Sequence, residues 1–141
     1  MARWLIALAV FAPFAVVGLS GTAALSAGKD DAYAVEVENA SAKVGEPAAV
    51  VARVTTKNGY RFSESYRNRI IELSALGDAV NFERRVVRGS LKNGSLVFKV
   101  GVTPTKAGTH PINGVFRIGF HDGAQLNMIS VPLVATVTGT Q

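Results

Sequence analysis

Cysteine is absent from the 141-residue chain, so disulfide cross-links, thiolate nucleophiles and cysteine-based metal sites are all excluded. Histidine occurs only at His110 and His121. Eleven residues apart on one extended segment, they would lie roughly 35 Å from each other, too far to share a metal. Ser63, Ser65, Ser74, Ser90, Ser95 and Ser130 supply hydroxyls, but none stands in the Gly-x-Ser-x-Gly setting of a nucleophile elbow. The acidic pairs Asp30-Asp31 and Glu36/Glu38 fall in a polar tail and on the wet face of a strand, where solvation rather than acid-base catalysis is expected. No helical period is present beyond residue 28, and no cofactor is implied. The expectation is a non-enzymatic domain.

The first charged residue, Arg3, precedes an uncharged run from Trp4 to Val17 and then a small-residue stretch from Gly18 to Ala27. That order matches the n-region, h-region and cleavage region of a secretory signal. The apolar run, interrupted by Pro13, is short against the roughly 20 residues a membrane span needs. Cleavage is expected between Ala24 and Gly28, which makes residues 1–27 a signal peptide and places the mature protein in the periplasm or outside the cell. Membrane contact would come only through an uncleaved signal. Without Arg3 the remaining chain has 14 basic against 10 acidic residues. So mild an excess, without a clustered basic face, excludes a nucleic-acid footprint. About 114 residues suffice for one core and not for two domains, so residues 28–32 read as a flexible tail and 33–141 as one domain.

Strand signals fill that domain. From Ile112 to Phe120 the even positions are Ile, Gly, Phe, Ile and Phe, and the odd ones are mixed, the period-two pattern of a half-buried strand. Tyr33, Val35 and Val37 alternate with Ala34, Glu36 and Glu38. After the turn Lys43 to Pro47, the strand Ala48 to Thr56 turns Val50, Ala52 and Val54 inward, and Lys57-Asn58-Gly59 ends it. Tyr60 to Arg69 has no clean period and is expected to be an ordered loop with Tyr60, Phe62 and Tyr66 partly tucked beneath it. Ile71 and Leu73 then alternate, Leu76-Gly77-Asp78 turns, and Val80 and Phe82 resume the apolar side. Val86 to Leu91 is expected to join Leu96 to Val102 through the Asn93-Gly94 hairpin. The strand Met128 to Thr138 closes the fold, with Pro132 marking it as an edge or a bulge. Seven to nine short strands with frequent turn signals specify an all-β, immunoglobulin-like antiparallel sandwich.

Gly59-Tyr60 leading to Ile70-Ile71, then Thr103-Pro104, Ala107-Gly108, Phe116-Arg117-Ile118-Gly119-Phe120 and Val131-Pro132-Leu133 together resemble the amino-terminal periplasmic domain of thiol:disulfide interchange proteins. The resemblance implies an immunoglobulin-like sandwich that relays electrons through two cysteines placed just after Phe120. The matching positions here are His121 and Leu126. Neither imidazole nor an alkyl group can replace a thiolate in disulfide exchange, so the resemblance implies the fold and compartment of a redox-inactive relative.

Two binding chemistries remain. Arg61, Arg67, Arg69, Arg84, Arg85 and Arg88, together with Tyr60 and Tyr66, could grip a carboxylate or phosphate partner if the Tyr60 loop and the 84–88 segment meet. Their alternative role is to guard a sheet edge with charge. The partner expected is another extracytoplasmic protein. The second chemistry is a small-ligand or metal site formed by His121, Asp122 and Met128 across a turn; against it stands the simpler reading of a solvated turn residue beside a strand-start hydrophobe.

Overall fold

The computed structural model describes residues 23–25 and 32–141. Among these residues twelve strands run in chain order: β1 (Ala23–Leu25), β2 (Tyr33–Glu38), β3 (Ala40–Lys43), β4 (Ala48–Thr56), β5 (Arg61–Phe62), β6 (Arg69–Ala75), β7 (Val80–Phe82), β8 (Val87–Arg88), β9 (Ser90–Lys92), β10 (Ser95–Pro104), β11 (Gly108–Asp122) and β12 (Gln125–Thr140). They form two six-stranded sheets. The first is ordered β1-β2-β4-β10-β7, with β9 sharing the outer edge of β10; the second is ordered β3-β12-β11-β6-β8, with β5 sharing the outer edge of β11. Residues 1–22 and 26–31, which hold most of the expected signal peptide and the flexible tail, lie outside the described residues. Among the described residues, no helix is long and apolar enough to cross a membrane.

The alternation in the sequence sets the core. Ile112, Phe116, Ile118 and Phe120 of β11 are buried against Val50, Ala52, Val54, Phe98 and Val100 of the facing sheet. Phe98 and Phe116 are fully buried and meet edge-on at 5.3 Å, the arrangement aromatic quadrupoles prefer. Phe120 gathers Tyr33 at 6.3 Å and Tyr60 at 5.4 Å at one end of the sandwich. Burying each large apolar side chain contributes roughly 1.5–3 kcal/mol, and with no cross-links this packing is what holds the two sheets together.

Several strand boundaries differ from the sequence expectation, each for a tertiary reason. Tyr60 to Arg69 is not all loop: β5 pairs with Phe120 and His121, and β6 begins at Arg69. The inward pair on β6 is Ile70 and Leu73 rather than Ile71 and Leu73. Glu72 adopts φ 54, and the pairing with β11 slips between Asn113 and Val115, a β-bulge that brings two side chains inward on one side of Gly114. Glycine gives room there, because a Cβ would lie 3.0 Å from Leu73 Cδ2 and 3.1 Å from Ile70 Cγ2, so that those methyls would have to shift by a few tenths of an ångström. Val86 to Leu91 is likewise not one strand. β8 belongs to one sheet and β9 to the other, and the chain crosses at Gly89, where a Cβ would lie 2.8 Å from the Phe98 ring.

The fold has more strands than seven to nine because such crossings divide continuous segments. It is not wholly antiparallel either: β3, unmarked by any pattern, pairs parallel with the end of β12 from Val137 to Thr140. The hairpins form where their turn residues stand. Asn93 and Gly94 both have positive φ, at 50 and 79, as a type I′ turn needs. Gly123, at φ 61, starts the two-residue turn between Asp122 and Gln125. β12 reaches beyond the expected Met128 to Thr138 at both ends, and Pro132 is exposed on it where no strand is paired to its outer side.

Candidate functional site

β5 and β6 are two pieces of one interrupted strand on the edge of β11, and the six residues between them form an excursion from it. Ser63 N–H donates to the Gly119 carbonyl at 2.9 Å. Asn68 Oδ1 accepts the Gly119 N–H at 2.9 Å, and Asn68 Nδ2 donates to the Ser63 carbonyl at 3.1 Å. The Asn68 carbonyl in turn accepts the Gly89 N–H at 3.0 Å. Among the described residues Ser63 and Asn68 are the buried polar ones, and these bonds, with the Tyr66 N–H donating to Ser63 Oγ at 3.3 Å, satisfy them. The excursion is therefore a fixed feature. It lays Tyr66 on the outer face of β11, where a Cβ at Gly119 would come within 2.7 Å of Tyr66 Cγ.

Two hollows open on either side of this excursion. One, of about 320 Å³, brings Tyr66, Arg67 and Arg88 together over a floor that includes Phe62, Leu91 and Leu96. The other, of about 600 Å³, has Arg61, Glu64 and His121 at its margin and shares Phe62, Ser63 and Leu91. A third hollow holds Arg84, Arg88 and Lys99 with Glu83. The fold thus unites Tyr66, Arg67 and Arg88, carries Arg84 to an adjoining hollow across Arg88, and puts Arg61 on the far side of the excursion.

The remaining residues of the expected set do not line these hollows. Tyr60 packs against Phe120. Arg85 donates to the Leu73 carbonyl at 2.7 Å and stands over the Phe82 ring at 5.1 Å, so it clamps one sheet to the other. Arg69 donates to the Arg67 carbonyl at 2.8 Å, with its guanidinium 6.0 Å from the Tyr66 ring centre. Sequence reasoning passed over Arg117, which stands directly between Arg69 and Ser130 in the sheet. Its signal was its outward parity on β11, but the residue opposite it depends on a bulge that no local pattern reveals.

His121 and Leu126 face each other as partners in the β11–β12 hairpin. His121, Asp122 and Met128 do not converge as a ligand set. Strand alternation sends Asp122 to the opposite face from His121, and Met128 lies across from Gly119. Among the described residues no group of three His, Cys, Asp or Glu side chains is placed to hold a metal ion.

No protein-family model matches the chain, and no curated protein does. Among solved structures it is similar to AggA, the major subunit of aggregative adherence fimbriae type I from Escherichia coli, with a TM-score of 0.41 and 13% identity over 77% of this chain and 94% of that one.

Proposed function

We propose that the chain is an extracytoplasmic, non-enzymatic binding domain that holds another protein through the surface built by Ser63 to Asn68. The observation that carries this reading is the meeting of Tyr66, Arg67 and Arg88 over the apolar floor of Phe62, Leu91 and Leu96. Tyrosine and arginine are residues that protein interfaces enrich, and Leu91, 46% exposed, leaves apolar surface beside them. The Arg3 to Ala27 signal pattern supports the compartment. Kinship with the disulfide-interchange domain, as a redox-inactive relative, rests on the sequence resemblance alone.

The test is a pull-down from the extracytoplasmic fraction with the wild-type protein and an Arg67→Ala/Arg88→Ala variant. A partner held by the wild type and lost with the variant is expected. Equal retention by both, or no specific partner, would overturn the assignment.

A further inference from the structure

We propose that the outer face of the β3-β12-β11-β6-β8 sheet carries an arginine ladder, Arg88–Arg69–Arg117, that receives an acidic, extended segment of a partner protein. This inference rests on the protein-binding reading above and names the chemistry of the partner. In the sheet, Arg88 is the register partner of Arg69, Arg69 is the partner of Arg117, and Arg117 is the partner of Ser130. Ile70, Val87 and Phe116 beside them point inward and are buried, so the three arginines share the outward face. Directly opposed residues in antiparallel strands have Cβ atoms about 4.5–5.5 Å apart, and like charges so placed repel.

The other sheet follows the ordinary rule. There Arg53 is opposite Glu36 on one side and Val97 on the other. In the ladder the opposing and flanking outward positions are arginine, serine, Ile71, Val115 and Gly119, none of them a carboxylate. Glu64 and Glu83 line hollows that Arg88 also lines, but among the described residues neither forms an ion pair with the ladder.

Two of the three guanidinium groups are nonetheless held in place. Arg117 donates to Ser130 Oγ at 2.6 Å and Arg69 to the Arg67 carbonyl at 2.8 Å. These neutral acceptors orient the groups without neutralising them, and each guanidinium keeps further N–H donors for bidentate carboxylate binding. Uncompensated charge held in fixed geometry is complementary to an anion. The ladder's neighbours select the kind of anion. Half-buried Ile71 and Val115 and exposed Pro132 lie along one side, with Tyr66 and 65%-exposed Met128 along the other. In an extended peptide every second side chain faces the sheet, so a segment that mixes carboxylates and apolar residues among those positions would cover both the ladder and its border, whereas a polyuronate has no apolar group to place there.

The test measures binding of a fluorescent ten-residue peptide in which Glu-Glu and Val-Val pairs alternate, so that each face carries both residues, to the full chain and to two variants, Arg69→Gln/Arg117→Gln and Arg53→Gln. The ladder variant should weaken binding by about tenfold or more, and added salt should weaken the wild-type complex. Arg53→Gln should leave affinity within about twofold, as expected for a charge outside the site. Absence of peptide binding, an equal loss in Arg53→Gln, or preference for polygalacturonate or for phosphatidylglycerol vesicles would overturn the proposal. The thermal midpoint of the ladder variant should equal or exceed that of the wild type, because repulsion is relieved; a fall would also count against the ladder. In the pull-down, a partner lost by Arg67→Ala/Arg88→Ala yet kept by Arg69→Gln/Arg117→Gln would leave protein binding standing and remove the acidic-segment proposal alone.

Discussion

The side-chain oxygen of Asn68 accepts the backbone N–H of Gly119 at 2.9 Å, filling the place on the edge of β11 that the chain leaves vacant between Phe62 and Arg69. One asparagine thereby does the work of a missing strand residue. Its amide holds Ser63, and its carbonyl holds Gly89. The excursion bearing Tyr66 and Arg67, the β8–β9 crossing and β11 are joined through it.

Asn68→Ala should therefore cost about 1–3 kcal/mol, the penalty for leaving a buried donor and acceptor unpaired. Chemical denaturation measures it. A change under about 0.5 kcal/mol, the range of an ordinary surface substitution, would show that the excursion is held by other means. The same variant should lose whatever partner depends on Tyr66 and Arg67.

Gly119→Ala tests the seat of Tyr66. The added methyl would meet Cγ and Cβ, the fixed root of the side chain rather than its far end, so the ring must lift. Overpacking of this kind costs about 1–3 kcal/mol. A Tyr66→Ala change in the same molecule should recover part of that loss, because the two sites touch and their effects are coupled. Strict additivity in a double-mutant cycle would mean that Tyr66 does not lie on Gly119.

Phe116 and Arg117 are adjacent and face opposite ways. Phe116 is fully buried against Phe98, so Phe116→Ala should cost about 3–5 kcal/mol from lost transfer energy and a cavity. Against a total stability of about 5–15 kcal/mol, that leaves a severely weakened domain. Arg117→Ala should stay within about 0.5 kcal/mol of wild type. Were Arg117→Ala the more damaging change in denaturant unfolding, the inward face of β11 would be misassigned.

Processing can be read by intact mass. The exported protein is expected to begin between Leu25 and Lys29, on the Trp4 to Ala27 pattern. Such a cut removes part or all of β1 and exposes the edge of β2 from Val35 to Val37, where β1 pairs. A product that begins at Met1 or Ala2 would replace the cleaved signal with an anchor.

The all-β class, the inward faces of β2, β4 and β11, and the Asn93-Gly94 turn were legible in the chain. Each depends on residues a few positions apart: alternation decides which face a side chain takes, and positive φ at Asn or Gly decides where a strand reverses. The arginines and tyrosines of the candidate surface were also visible as a composition. Their grouping was not. Which arginines meet depends on the bulge at Glu72, on the change of sheet at Gly89 and on Asn68 reaching across 51 positions of chain to Gly119. These are settled by the packing of Ile70, Leu73 and Phe98 in a shared core, and local periodicity holds no record of it. Arg117 shows the difference most plainly: its outward direction follows from Phe116 and Ile118 beside it, while Arg69 as its neighbour exists only once β6 has docked on β11 with one residue bulged out.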